Sequence, residues 1–176
     1  KDGDMLRIAP IRTAQKGAVP EPGKQLKRYL AENILFEDDG LLVINKPSGL
    51  AVHGGSGISL GAIEALRAER PEQRFLELVH RLDRETSGCL MLAKKRSVLL
   101  ALQQAMQRNQ VEKRYKALVK GQWPKGKATI NAPLRKNTMS GGERVVRVDA
   151  EGKPSVTHFK IAQRFKQATL LDIKLE

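Results

Sequence analysis

Two apolar runs bracket a polar stretch near the middle of the chain. Phe75-Leu76-Glu77-Leu78-Val79 leads into His80-Arg81-Leu82-Asp83-Arg84-Glu85-Thr86-Ser87-Gly88, and Cys89-Leu90-Met91-Leu92-Ala93 leads out of it. Short apolar runs of this length predict buried strands, with the polar residues forming a loop at the mouth of a sheet. Upstream, Ile34-Leu35-Phe36 and Leu41-Leu42-Val43-Ile44 flank the acidic turn Glu37-Asp38-Asp39-Gly40 and predict a hairpin. Asn45-Lys46-Pro47-Ser48-Gly49 ends it, with Pro47 fixing a turn and Gly49 free to take a positive φ. A helix is predicted from a Ser59 cap to about Arg70, with Leu60, Ile63, Ala65 and Leu66 facing inward and Pro71 stopping it. A second helix is predicted to start at a Ser97 cap and to bury Val98, Leu102, Ala105 and Met106.

The C-terminal half reads mostly as strands. Residues 111–121 alternate, so that Lys113, Tyr115, Ala117 and Val119 share one face. Ala128–Leu134, Arg144–Val148, Ser155–Phe165 and Ala168–Leu175 follow, with turns at Gly141-Gly142 and Glu151-Gly152-Lys153-Pro154. Trp123 falls in a loop and is read as packing over a sheet edge; His158 is read as a packing residue within its strand. The pattern as a whole predicts an α+β fold, a mixed and mainly antiparallel sheet with flanking helices.

Composition narrows the partner. Lysine and arginine number 32 against 19 acids, a net charge of +13, and the cations are spread along the whole chain. That balance favours a folded basic surface for nucleic acid over a membrane partner. With neither an apolar run near 18 residues nor a signal-peptide pattern, the expectation is a soluble cytoplasmic protein. The single cysteine, Cys89, reads as a buried small hydrophobe, and three scattered histidines offer no metal cluster.

Candidate chemistry centres on Asp83, with Arg81 and Arg84 beside it in sequence. Nearby cations hold an aspartate ionised. An ionised carboxylate among guanidiniums suits a reaction on an anionic polymer, although Asp-Arg neighbours and Thr-Ser-Gly are also ordinary loop chemistry. His53-Gly54-Gly55-Ser56-Gly57 reads as a plain loop, at most an RNA-backbone contact, since it lacks the Lys-Ser/Thr tail of a P-loop.

The string HRLDRETSG resembles the H-R-L-D-x-x-T-S-G signature of the RluA-type pseudouridine synthases. NKPSG resembles that family's N-K-P-x-G segment, and Lys113–Gly121 resembles its K-x-Y-x-A-x-V-x-G strand. The detail of the match extends through HGGSG, KGQW and EGKPSVTHFK and implies a large-subunit ribosomal RNA substrate. The resemblance implies that Asp83 is the essential carboxylate, whether as nucleophile or as base, and that Tyr115 lies against the target base. A core role for the Tyr115 ring is the alternative. Arg81, Arg84 and His80 are the candidate RNA contacts, with Arg81 filling the stack that the target base vacates. No metal and no cofactor are implied, and a monomer is expected.

The same resemblance makes residues 1–17 the remnant of an N-terminal S4-type RNA-binding domain and 31–176 a truncated catalytic domain; between them, two prolines and a glycine mark 18–30 as a linker. The chain starts without Met and stops before the family's downstream G-R-T-H-Q-I-R segment, so a fragment is expected. An RNA-binding module without chemistry is the competing reading. A nuclease is the third, and it lacks a carboxylate cluster for metal or a histidine pair.

Overall fold

The structure is a computed structural model that describes residues 21–55, 58, 60–138 and 144–176. The expected S4 remnant at 1–17, the Ser59 cap and the Gly141-Gly142 turn lie outside the described residues. The described chain forms two compact units that divide between Gln103 and Gln104.

In the first unit, α1 (Lys24–Glu32) precedes β1 (Ile34–Glu37) and β2 (Leu41–Lys46); α2 (Ala62–Glu69), β3 (Glu77–Leu78) and β4 (Gly88–Ala93) follow. The strands pair antiparallel in the order β1-β2-β4-β3. Strict alternation builds the core. Leu42 and Ile44 of β2 face inward opposite Leu92 and Leu90 of β4, and all four are sealed from solvent. Ile63, Ala65 and Leu66 of α2 and Leu30 of α1 are buried with them.

Helix α1 corrects the linker expected at 18–30. Residues 18–20 lie outside the described residues, and Pro22 and Gly23 punctuate only the approach to the helix. From Lys24 onward every residue is a competent helix former, Arg28 bonds Glu32 one turn on at 2.7 Å, and Leu30 is buried. Cys89 is a second correction: it is exposed. With Leu90 and Leu92 turned inward, the period of two puts Cys89 on the opposite face of β4. The apolar run was two-faced, not wholly buried.

Helix α2 begins at Ala62, after the expected serine cap. Its first two amides donate to the carbonyls of Ala51 and Val52, at 2.8 and 3.1 Å. The Glu64 carboxylate accepts from the backbone N–H of Gly61 at 2.9 Å and of Gly54 at 3.0 Å. The residues before the helix are thus bonded to its first turn. Gly61 makes the fit possible, because a Cβ there would stand 2.5 Å from the backbone of His53. Backbone cannot swing aside as a flexible side chain can. Gly61→Ala is therefore expected to lower stability by about 1–3 kcal/mol, read from the urea unfolding midpoint. An unchanged midpoint would show that residues 51–54 are not held here.

Helix α3 (Arg96–Gln107) crosses the unit boundary and takes Ser97 into its first turn, so Ser97 is not the cap. The second unit holds β5 (Lys113–Lys120), β6 (Thr129–Asn131), β7 (Leu134–Thr138), β8 (Arg144–Val148), β9 (Val156–Arg164) and β10 (Ala168–Leu175). One antiparallel sheet runs β5-β10-β9-β6, and β7 pairs with β8 in a separate hairpin. The expected strand 128–134 is broken at Pro133, which has no N–H for a ladder, and a new strand opens at Leu134. Trp123 packs its ring 4.8 Å from Phe159 of β9 and donates its indole N–H to Lys127, as a loop residue lying over a sheet. His158 sits in β9 and bonds Thr129 and Glu176, so its place is polar.

Candidate active site

The Asp83 loop is held from below by a buried lysine. Lys46 is the third inward residue of β2 after Leu42 and Ile44, opposite Gly88 at the start of β4. It is wholly buried. Its ammonium donates to the carbonyls of Pro47 at 2.9 Å, Leu50 at 2.7 Å and Arg84 at 3.0 Å. Three donors meet three acceptors. Burial pushes its pKa below the usual 10.5, while the charges of Glu85 and Asp83 act against that fall.

Further bonds join the two turns. The N–H of Gly49 donates to the Arg84 carbonyl at 2.9 Å, the Arg84 Nε to the Gly49 carbonyl at 2.9 Å, and the Ser48 hydroxyl to the Glu85 carbonyl at 2.8 Å. Gly49 has φ 84°, the positive value anticipated for it. The NKPSG turn is thus a platform for the residues that follow Asp83.

The other end of the loop is tied to β4. Val79 donates its N–H to the Met91 carbonyl at 3.0 Å, and Met91 returns its own N–H to Nε2 of His80 at 3.1 Å. The ring takes the place of a backbone carbonyl where the chain leaves the sheet. His80 is half-buried, so the structure gives this candidate RNA contact a share in anchoring the loop. Burial pushes its pKa below the usual 6.5, against the opposing pull of a backbone hydrogen bond at Arg81. As pH falls, the unfolded chain therefore takes up this proton before the folded one. The stability contributed by neutral His80 is complete above pH 6.5 and is lost as pH drops through the lower folded value. His80→Gln keeps an acceptor that does not titrate, so its unfolding midpoint should fall less between pH 7 and pH 5 than that of the wild type. Parallel curves would exclude this.

Between these anchors, Asp83 and Arg81 are exposed. Together with Arg84, His53, Val52 and Ile58 they line a cleft of about 230 Å³. Among the described residues the Asp83 carboxylate has neither a hydrogen-bond nor an ion-pair partner. Neither neighbouring arginine pairs with it: Arg84 turns its Nε to Gly49 and stands 3.7 Å from Glu85. Arg81 is unpaired among the described residues. A carboxylate and a guanidinium thus share one opening with their polar atoms uncommitted.

The cleft is built entirely from the first unit. Tyr115 belongs to the second, half-buried on the face of β5 that also carries Lys113, Ala117 and Val119, opposite Ile173 of β10. His53, by its sequence part of a plain loop, also lines this cleft. The available signal was a histidine directly before two glycines and a helix start, with Glu64 three residues past Gly61.

A family model described as RNA pseudouridylate synthase matches residues 40–176. Ribosomal large subunit pseudouridine synthase C of Yersinia pestis is 58% identical over 171 residues, 97% of this chain and 53% of that protein. The protein of the same name in Escherichia coli K12 is 55% identical over 170 residues, 96% and 53% of the two. The chain spans about half the length of these curated relatives. Among solved structures, human RNA pseudouridylate synthase domain containing 4 superposes with a TM-score of 0.69 at 28% identity, over 86% of this chain and 61% of that one. Human RNA pseudouridylate synthase domain containing 1, at 22% identity and a TM-score of 0.69 over 89% and 62%, shares the fold.

Proposed function

Because the chain belongs to the RNA pseudouridylate synthase family, we propose that it provides the catalytic carboxylate for isomerising uridine to pseudouridine in large-subunit ribosomal RNA. The reaction detaches uracil from ribose C1′ and rejoins it through C5, and the C5 proton is lost. It is redox-neutral and needs no energy input. Asp83 serves as the carboxylate at the sugar, either attacking C1′ or taking the neighbouring proton. The observation that carries the reading is the open Asp83 carboxylate in the same cleft as Arg81 and Arg84. The net charge of +13 supports the anionic substrate.

Arg81 fills the gap left when the target uridine is turned out of its stack, and the free N–H groups of Arg84 meet phosphate. Tyr115 holds the detached uracil. The protein acts as a cytoplasmic monomer without a cofactor. Among the described residues no helix is long and apolar enough to cross a membrane.

Tritium release from ribosomal RNA labelled at uracil C5 tests the reading, using the protein at the full length of its relatives. Release by the wild type supports it; RNA binding without release would leave a binding module. Eversion of a stacked base costs a few kcal/mol. Arg81→Ala should therefore slow turnover roughly tenfold more on folded RNA than on an unstructured oligonucleotide. Equal slowing on both would remove the stack-filling role.

A further inference from the structure

His53 is the cleft residue that the proposed chemistry leaves unused, and it is rigidly placed. Helix α2 holds the backbone on either side: Ala51 and Val52 accept its first amides, and Glu64 holds the N–H of Gly54. The missing side chain of Gly61 lets the His53 backbone lie flush against the helix start. The ring itself is fixed by a 2.7 Å contact between Nδ1 and the carbonyl oxygen of Gly54. A carbonyl can only accept, so Nδ1 carries the proton. In the neutral ring the lone pair then sits on Nε2. Among the described residues Nε2 has no partner, and no unpartnered side-chain nitrogen or oxygen there is sealed from solvent. His53 thus brings an accessible, tautomer-fixed acceptor to the cleft that also contains Asp83.

We propose that His53 contacts the substrate, its Nε2 accepting a hydrogen bond from the everted uridine. This rests on the function proposed above. A nucleotide inside an RNA strand has its 3′ and 5′ oxygens esterified. Uridine then keeps two donors, the N3–H of the base and the 2′-hydroxyl of the sugar. An acceptor for N3–H discriminates against cytosine, which has no proton at N3. An acceptor for the 2′-hydroxyl discriminates against DNA. Both are hydrogen bonds from the target nucleotide to one atom of this chain, and substrate analogues separate them.

The test uses the full-length protein and a target oligoribonucleotide carrying uridine, 3-methyluridine or 2′-deoxyuridine at the modified position. His53→Leu should lower kcat/KM on uridine by roughly tenfold, the worth of one hydrogen bond in a desolvated site. His53→Gln, whose amide oxygen reaches to about the position of Nε2, should recover much of that loss. On the analogue lacking the partnered donor, wild type and His53→Leu should be equally slow. A deficit that persists undiminished on both analogues overturns the proposal and points to a phosphate contact. No deficit on uridine overturns it as well. A separate readout covers the case in which no pseudouridine forms at all. With ¹⁵N-labelled histidine, uridine 5′-monophosphate should shift Nε2 of His53 and leave Nδ1 protonated. An unmoved Nε2 at saturating nucleotide rejects the contact whatever the fate of the isomerase reading.

Discussion

Asp83→Asn is expected to lower pseudouridine formation by roughly ten-thousand-fold or more, as loss of a nucleophile or essential base does in other enzymes. The same substitution should leave the unfolding midpoint almost unmoved. Asp83 is exposed, and among the described residues its carboxylate makes no hydrogen bond or ion pair, so only its longer-range charge interaction with Lys46 disappears with it. Changes at such positions stay within about 0.5 kcal/mol. RNA affinity should also persist, because the binding charge is spread over 32 lysines and arginines. The decisive observation combines three assays on one variant: tritium release, RNA retention and a urea melt. Lost release with the other two kept is the signature of a chemical role. Retained release would sink the assignment of Asp83, and a collapsed melt would show that the carboxylate is structural.

Much of this was legible in the chain because apolar alternation is a direct consequence of strand geometry. Leu42-Val43-Ile44 and Leu90-Met91-Leu92 announced β2 and β4, and the polar residues between β3 and β4 could only form a loop. What failed were places where one residue type has two readings. Cys89 looked buried because its neighbours are apolar; only the phase of the strand puts it outside. Helix α1 was hidden by the prolines and glycine ahead of it. Pro133 divided a run that hydropathy alone joins. In the site, Asp83 was conspicuous between two arginines, yet sequence adjacency did not make an ion pair, since the loop turns the Arg84 Nε to the Gly49 carbonyl. His53 and His80 were harder still. Their roles depend on which backbone groups lie within hydrogen-bond reach of each ring nitrogen, and those partners come from β4 and from the approach to α2.

Lys46→Met is expected to be the most damaging single change to the fold, and the contrast with Asp83 is informative. Methionine matches the lysine stem in length and apolar character, so the space that the stem fills stays filled. The loss is confined to the ammonium. The part-buried carbonyls of Pro47 and Leu50 then lose that donor, whereas the Arg84 carbonyl keeps the N–H of Gly49. Each orphaned acceptor costs about 1–3 kcal/mol, so a loss of about 2–6 kcal/mol is expected in urea. Lys46→Arg should not restore it. A planar guanidinium cannot aim donors at three converging carbonyls in the space of an ammonium. Because Arg84 directly follows Asp83, the loosened platform should also weaken catalysis, in proportion to the loss of folded protein and of order in the 47–50 turn. Activity in Lys46→Met that recovers on cooling or with stabilising osmolyte would mark Lys46 as a support for the loop, whereas activity lost at full stability would make its charge part of the chemistry.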